Sequence, residues 1–213
     1  MQLVVATKNK GKLLELRQLL DVPGLELVGV DQRGVALPDV EESGDTYEAN
    51  ALLKARAIAA LTGGLVLADD SGLEVDALGG APGVRSARYA GDAGARANTE
   101  KLLAAMADVP DGSRTARFRC VIVVVRASRN DAVIVSGRCE GAIAGAMRGS
   151  GGFGYDPVFE VAPHELATLG RVTSHERLTM AELDEGEKNL LSHRGRAVAA
   201  LRARWSEVEA LAC

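Results

Sequence analysis

The length and composition of the chain are typical of a soluble globular protein. Its 213 residues can bury a substantial core, either as one domain or as two lobes that share a cleft. With a net charge of -4 and only 3% aromatic residues, it has neither the basic surface nor the stacking rings of a nucleic-acid binder. No apolar run approaches the roughly 20 residues of a membrane span, and the opening run is too short for a secretory signal, so we expect a cytoplasmic protein.

The chain opens with an apolar run that predicts a strand, followed by Ala6-Thr-Lys-Asn-Lys-Gly-Lys12. The glycine–lysine pair suggests a P-loop, but Ala6 and Leu13 replace the first glycine and the metal-binding hydroxyl of the Walker pattern. Thr7 and Asn9 can cap the helix indicated by the leucines that follow, and the lysines would lie at its N-terminus, where anions are favoured. The stretch is therefore either a phosphate site of another kind or a capped helix with solvated lysines.

The later elements are predicted from hydrophobic period and turn residues. The first of them are a strand over 25–30, a helix from the capping box of Asp45 and Glu48 to about Leu61, and a buried strand over 65–68. A helix near 98–106 follows, and then two strands over 115–126 and 132–140 that are joined as a hairpin. The last are a capped turn at Thr179 to Glu182 and a final helix that is capped by Ser192 and extends through Val208. This order indicates an α/β fold with a mixed central sheet flanked by helices.

Asp69 and Asp70 are adjacent carboxylates at the predicted end of the strand over 65–68. Because neighbouring strand residues project to opposite faces, the two could serve metal binding and water activation separately. Glu41 or Glu42, in an acidic loop upstream, would give magnesium a second oxygen ligand. A helix cap or solvated turn is the alternative that these residues leave open.

Two further motifs admit both a functional and a structural interpretation. The run from Gly149 to Gly154 matches the dinucleotide pattern, but Asp156-Pro157 disfavours the helix that such a motif must open. It is either a flexible loop or a base-binding loop with an aromatic face. Ser-His motifs occur at Ser174-His175-Glu176-Arg177, in an irregular stretch, and at Ser192-His193-Arg194, which opens the last helix. The three histidines lack metal-ligand spacing, and the three cysteines, Cys120, Cys139 and Cys213, argue against a disulfide framework or a zinc site.

Four motifs in order over nearly the whole chain resemble the inosine triphosphate pyrophosphatase (Ham1/RdgB) family. They are Ala6 to Lys12, Asp69-Asp-Ser-Gly-Leu-Glu-Val-Asp to Tyr89, Gly152-Phe-Gly-Tyr-Asp-Pro-Val-Phe159 and Ser192-His-Arg194. The resemblance implies a single domain over 1–213, with two lobes and a nucleotide cleft between them. It also implies a homodimer that uses magnesium to hydrolyse dITP, ITP and XTP to the monophosphate and pyrophosphate.

The resemblance also implies the roles of individual residues. The triphosphate would be bound by Thr7, Lys8, Asn9, Lys10, Gly11 and Lys12. Asp70 would accept the proton of the attacking water, Asp69 and Lys54 would support the catalytic site, and Glu41 with Asp70 would hold magnesium. Ser71 would contact substrate, the base would be held by Phe153, Gly154, Tyr155 and Asp156, and the pocket would be completed by Lys188, His193 and Arg194.

The sequence departs from the family pattern at two places. Lys8 stands where many relatives have glycine, and the connection over 162–178 is longer than usual. Neither change touches the carboxylates, but both affect the expected rim of the pocket. The alternatives are a Maf-like nucleotide pyrophosphatase of other base preference and a nucleotide-binding sensor without catalytic activity.

Overall fold

The computed structural model describes residues 1–7, 9–33, 43–171 and 177–212. The strands are β1 (Gln2–Val5), β2 (Glu26–Gly29), β3 (Leu65–Val75), β4 (Thr115–Arg126), β5 (Ala132–Ile143) and β6 (Phe159–Val161). The helices are α1 (Lys10–Leu19), α2 (Tyr47–Thr62), α3 (Gly94–Ala105), α4 (Pro163–Ala167), α5 (Glu185–Leu191), α6 (His193–Ala203) and α7 (Trp205–Ala212). Within these ranges, every helix is too short or too polar to span a membrane.

The strands form one mixed sheet, as the order of predicted elements indicated. Its strand order is β2-β1-β3-β4-β5-β6. Strand β1 pairs in parallel with both β2 and β3, whereas β5 and β6 are antiparallel. The parallel pairs are connected through α1 and α2, as parallel strands require a crossover connection. The prediction of an α/β fold with a mixed sheet is therefore confirmed.

The first of two compact units comprises Met1–Asp70, Cys120–Gly137 and Arg194–Cys213. Its core follows the period of two in the strands, with Leu3 and Val5 on β1 and Leu65 and Leu67 on β3 on one buried face. These side chains pack with leucines of α1 and with apolar positions of α6 and α7. Burial of each such side chain stabilises the folded protein by about 1.5–3 kcal/mol, so this core holds β1 and the first part of β3 in place.

The second unit comprises Ser71–Arg119 and Arg138–His193 and has its own core. Phe118 and Phe159 lie at its centre, with ring centroids 4.4 Å apart. The buried guanidinium of Arg114 supports the same unit by donating to the backbone carbonyls of Met106, Val109, Ile143 and Ala144. Those bonds satisfy carbonyl groups at the ends of α3 and β5, which burial would otherwise leave without partners.

Several predicted boundaries are confirmed and others are corrected. Asn9 caps α1 by accepting from the backbone N–H groups of Gly11 and Lys12. Thr46, and not Asp45, caps α2, because its hydroxyl accepts from Ala49 N and its extended backbone starts the helix one residue later. The last helix is divided into α6 and α7, since Arg204 N bonds to Leu201 O in a tighter turn.

Strand β3 does not end at Ala68, as the sequence suggested, but continues to Val75. Asp69 and Asp70 are therefore interior strand residues, and both are buried. A buried carboxylate is tolerated where charges or hydrogen bonds compensate it, and both of these have partners. The expected single domain and its nucleotide cleft stay predictions.

Candidate functional site

The first unit contains the predicted phosphate-binding stretch at the N-terminus of α1. Asn9 N donates to Thr7 Oγ1 at 3.1 Å, and Asn9 Oδ1 accepts from Gly11 N at 2.9 Å and from Lys12 N at 3.2 Å. This capping brings backbone N–H groups to the helix N-terminus, an arrangement that favours anions. Lys10 is the first residue of the helix, and Lys8 lies outside the described residues.

Asp69 is the centre of a buried ionic cluster. Lys12 Nζ lies 2.9 Å from Asp69 Oδ2, and the Nη2 atom of Arg194 lies 3.4 Å from the same oxygen. The Nη1 atom of Arg194 is 2.6 Å from Glu15 Oε2. Lys54, on α2, donates to the backbone carbonyl of Asp69 at 3.1 Å. The strand β3 is thus tied to α1, α2 and α6 through charged groups.

The electrostatics of the cluster determine how Asp69 titrates. Burial alone would raise the pKa of its carboxyl, but Lys12, Arg194 and Lys54 outweigh burial and hold that pKa well below its usual range. Burial would likewise lower the pKa of Arg194, yet Asp69 and Glu15 raise it above its usual value. Both groups are therefore charged at every physiological pH, and Asp69 serves as a fixed anion.

Asp70 faces a different environment from its neighbour. Nδ2 of Asn50 donates to Asp70 Oδ2 at 3.3 Å, and both residues are buried. Asp69 faces cationic side chains, whereas this bond to Asp70 comes from a neutral amide. The sequence-based expectation that the two carboxylates project differently is confirmed.

The magnesium site implied by the resemblance is described only in part. Glu41 and the alternative ligand Glu42 lie outside the described residues. In the described ranges there is no group of three or more His, Cys, Asp or Glu residues arranged to hold a metal. Asp70 nevertheless offers a carboxylate oxygen, the donor that Mg²⁺ prefers, and Mg²⁺ is bound by one or two carboxylates together with substrate phosphates. The donor chemistry of Asp70 therefore fits this ion.

The second unit contains the predicted base-binding loop. Oδ2 of Asp156 accepts from Lys188 Nζ at 2.8 Å and from the backbone N–H of Phe153 at 2.9 Å. The Lys188 ammonium also lies 4.8 Å from the centroid of the Phe153 ring, which is 41% exposed. An exposed aromatic face beside a fixed cation is suited to a flat, hydrogen-bonding ligand such as a nucleobase.

Two glycines give this loop its close contacts. Gly152 has a φ of +70°, and a Cβ there would collide with Oδ2 of Asp156. Gly149 has a φ of +78°, and a Cβ there would lie 2.6 Å from the carbonyl of Ala181. The glycine pattern that resembles a dinucleotide motif therefore serves backbone conformation and close approach. No α-helix opens here, since the chain enters a single 3₁₀ turn at Asp156–Val158.

Further contacts hold the loop and the remaining predicted residues. The hydroxyl of Tyr155 donates to Ser86 O at 2.8 Å, and Thr99 Oγ1 donates to Gly154 O at 3.2 Å. His193 is stacked on Phe118, with ring centroids 4.8 Å apart and 14° between the planes. Ser71 follows Asp70 in β3 and is half-buried.

The structure therefore distributes the predicted residues over two groups. Thr7, Asn9, Gly11, Lys12, Lys54, Asp69, Asp70 and Arg194 belong to the first unit, and Ser71, Phe153, Gly154, Tyr155, Asp156, Lys188 and His193 belong to the second. The Ser174-His175-Glu176 motif lies outside the described residues, and Arg177 is an exposed residue beside Glu160.

Sequence reasoning missed Glu15 and Asn50, which contact Arg194 and Asp70. A helical spacing could have found both. Glu15 lies three residues after Lys12, and Asn50 lies four residues before Lys54, so each pair shares one helix face.

Comparison with known proteins gives one consistent result. The Ham1 family model matches residues 3–204. The dITP/XTP pyrophosphatase of Thioalkalivibrio sulfidiphilus is 48% identical over 96% of this chain and 98% of its own length, and that of Symbiobacterium thermophilum is 50% identical over 93% and 91%.

Solved structures agree with the sequence comparisons. A Ham1 protein from Coxiella burnetii is similar with a TM-score of 0.83, at 40% identity, over 97% of this chain and 99% of that one. A nucleoside-triphosphatase, or dITP/XTP pyrophosphatase, from Mycobacterium abscessus has a TM-score of 0.71 at 43% identity, over 94% and 98%.

Proposed function

The chain belongs to the Ham1 family, and from this membership we propose that it hydrolyses dITP, ITP and XTP to the monophosphate and pyrophosphate, removing non-canonical purines from the nucleotide pool. The observation that carries the chemistry is a pair of adjacent buried carboxylates in β3. Asp69 is bound by Lys12 and Arg194, and Asp70 accepts a hydrogen bond from the amide of Asn50. A match over 3–204 also argues against the Maf-like alternative.

The reaction begins with the binding of a strongly anionic triphosphate. The capped N-terminus of α1 offers backbone N–H groups, and Lys12 and Lys54 offer ammonium groups beside Asp69. The bonds to Asp69 fix both lysines in place before substrate arrives. Preorganised donors of this kind stabilise developing charge without reorganisation during the reaction.

The chemical step is a displacement at the α-phosphorus. Asp70 accepts a proton from the attacking water, a P–O bond forms to the water oxygen, and the bond to the bridging oxygen breaks so that pyrophosphate leaves with the electron pair. The resemblance to the family supports Asp70 in this role, and the lowered pKa of Asp69 makes that neighbour the weaker proton acceptor.

Magnesium is part of the proposal, with Asp70 and the predicted Glu41 as its protein ligands. When bound, Mg²⁺ would neutralise phosphate charge and orient the water. Removal of divalent ions by EDTA should abolish pyrophosphate release, and added Mg²⁺ should restore it. Undiminished release in EDTA would contradict this assignment.

Base selection requires a donor directed at position 6 of the purine. Such a donor bonds to the keto oxygen of hypoxanthine or xanthine but meets another donor in the amino group of adenine. Lys188 lies at the exposed face of Phe153, on which a base can stack. Arg194, the other cation expected in the base pocket, is held by Glu15 and Asp69 in the first unit. Its part in base recognition stays a prediction.

The central test measures pyrophosphate release from dITP, XTP, dGTP, dATP and dUTP. We expect dITP and XTP to be preferred, and equal rates on all five would refute the proposed specificity. Asp70→Asn should lower kcat about 100- to 10,000-fold, as removal of a general base does. Asp76→Asn is the matched control, because Asp76 lies outside this site and bonds to Arg117 and Thr115. A folded Asp70→Asn enzyme with near-normal turnover would exclude Asp70 as the base.

A homodimer and a cytoplasmic location complete the proposal. The homodimer is supported by the resemblance to the family. A pool-cleaning enzyme must also meet nucleoside triphosphates where they are consumed. Light scattering of the purified protein and fractionation of cells would test these two points.

A further inference from the structure

Asn50 is a buried polar residue that has no role in the mechanism described above. It lies on α2, and only 1% of its surface is exposed. Leaving a buried polar group unsatisfied is destabilising, so both ends of a buried amide require partners. The identity of those partners indicates what the residue does.

The two ends of the Asn50 amide reach two different parts of the first unit. Oδ1 accepts from the backbone N–H of Gly44 at 2.8 Å, and Nδ2 donates to Asp70 Oδ2 at 3.3 Å. A backbone N–H can only donate, so the amide oxygen must face Gly44 and the nitrogen must face Asp70. The bond to Gly44 therefore fixes which end of the amide is presented to the carboxylate.

The contact with Gly44 depends on glycine at that position. A Cβ on Gly44 would lie 2.8 Å from Asn50 Oδ1 and 2.8 Å from Ala49 Cβ. Real Cβ atoms do not approach other atoms so closely, and any larger residue would displace the backbone N–H from the amide. The short loop before α2 is thus shaped around the Asn50 side chain.

Lys54 lies one helical turn after Asn50 and points to the same strand. Its ammonium donates to the backbone carbonyl of Asp69 at 3.1 Å. Residues four apart lie on one face of a helix, so α2 holds β3 at two successive positions. One bond fixes the backbone at Asp69, and the other fixes the side chain of Asp70.

We propose that Asn50 is a positioning residue that holds the Asp70 carboxylate in the orientation required to accept the proton of the attacking water. This inference rests on the proposed function. A carboxylate can rotate about its own bond, and a misplacement of about 1 Å can lower a rate about 100-fold.

Two substitutions separate the bonds of Asn50. Asn50→Ala removes both, whereas Asn50→Asp keeps an acceptor for Gly44 and replaces the donor to Asp70 by a second carboxylate. We expect kcat for dITP to fall about 10- to 100-fold in both variants. The Kd of a non-hydrolysable dITP analogue should stay within about threefold of wild type, because positioning acts on turnover and not on ground-state binding. Asn50→Asp carries the test alone if Asn50→Ala does not fold.

Asn98→Asp is the matched control for a new buried carboxylate. Asn98 is also buried on a helix, and its amide donates to Ala87 O at 3.0 Å and accepts from Ala90 N at 2.6 Å. We expect this variant to lose thermal stability while its kcat stays within about threefold of wild type, because no catalytic group is involved.

The possible results separate a positioning role of Asn50 from a purely structural one. A folded Asn50→Asp variant with wild-type kcat would overturn the proposal, because Asn50 would then act through Gly44 alone. An unchanged kcat in both Asn50 variants, or an equal loss of kcat in Asn98→Asp, would also overturn it. A wild-type protein that releases no pyrophosphate from dITP would instead refute the proposed function, together with this inference.

Discussion

Replacement of Arg194 by methionine would test the buried ionic cluster of the first unit. The arginine side chain is 1% exposed, with Nη1 2.6 Å from Glu15 Oε2 and Nη2 3.4 Å from Asp69 Oδ2. Methionine keeps much of the buried apolar volume but removes the positive charge. Two carboxylates would then lose one of their partners.

The two carboxylates would not be affected equally. Asp69 would keep Lys12, whose Nζ is 2.9 Å from its Oδ2. Within the part of the chain that is described, Glu15 Oε1 has no hydrogen-bond partner, so Glu15 depends mainly on Arg194. Breaking a buried ion pair costs about 3–5 kcal/mol. At about 2–4 °C per kcal/mol for a protein of this size, we expect Tm to fall by about 6–20 °C.

Urea unfolding followed by circular dichroism would measure the loss, with Arg177→Met as the control. The side chain of Arg177 is 66% exposed and 3.6 Å from Glu160, an arrangement worth about 0–1 kcal/mol. Addition of Glu15→Gln to Arg194→Met should restore part of the stability, because it removes the uncompensated charge. A loss below about 1 kcal/mol in Arg194→Met, or no recovery in the double variant, would refute this account of the cluster.

The same pair of arginines tests which Ser-His motif contributes to base selection. We expect Arg194→Ala to lower kcat/KM for dITP about 10- to 150-fold, which corresponds to the roughly 1.5–3 kcal/mol of a hydrogen bond to a charged group. Arg177→Ala should change kcat/KM by less than about 2.5-fold, or roughly 0.5 kcal/mol. Parallel measurements with dATP show whether preference, and not only activity, is lost. If Arg177→Ala abolishes the preference while Arg194→Ala retains it, the two motifs have the opposite roles.

Three smaller predictions concern stability, reactivity and the base loop. The pKa of Asp69 is lower in the folded than in the unfolded protein, so its contribution to the free energy of unfolding is complete above about pH 4 and is lost as pH falls further. In urea unfolding, the free energies of wild type and Asp69→Asn should therefore differ most above that pH. Burial raises the pKa of the Cys120 thiol to about 12, and iodoacetamide at pH 8 should label it only after unfolding, as peptide mass spectrometry would show. Gly152→Ala would drive a methyl group against Asp156 and should raise KM for dITP at least about tenfold, whereas Gly145→Ala, with nothing within 4 Å, should not.

The parts of the fold that follow from local patterns were predictable from the sequence. Asn9 caps α1 and Gly63 ends α2 in a left-handed conformation, because capping and glycine turns depend on a few adjacent residues. The end of β3 was not predictable in this way. Asp69 and Asp70 are poor strand residues, and inside β3 their buried carboxylates are compensated by Lys12, Arg194 and Asn50 from other elements.

The candidate site shows the same limit. The family motifs contain the residues expected to carry out the chemistry, but they do not show which of them contact one another. Arg194 follows His193 in one Ser-His-Arg motif, yet it pairs with Glu15, 179 residues away in sequence. Glu15 and Asn50 stand outside every family motif. Helical spacing places them beside Lys12 and Lys54, but only tertiary packing shows that they contact Arg194 of α6 and Asp70 of β3.

The geometry of β3 also explains why two adjacent carboxylates can have separate functions. Successive side chains of a strand point to opposite faces, so Lys12 and Arg194 reach the carboxylate of Asp69 and Asn50 reaches that of Asp70, although one peptide bond joins the two residues. Lys12 of α1 and Arg194 of α6 hold the pKa of Asp69 below its usual range, which makes this carboxylate a weaker base than an ordinary one. Its charge instead fixes Lys12, which belongs to the stretch that we propose binds the triphosphate. On the opposite face, the amide of Asn50 on α2 donates to Asp70 and so directs its carboxylate.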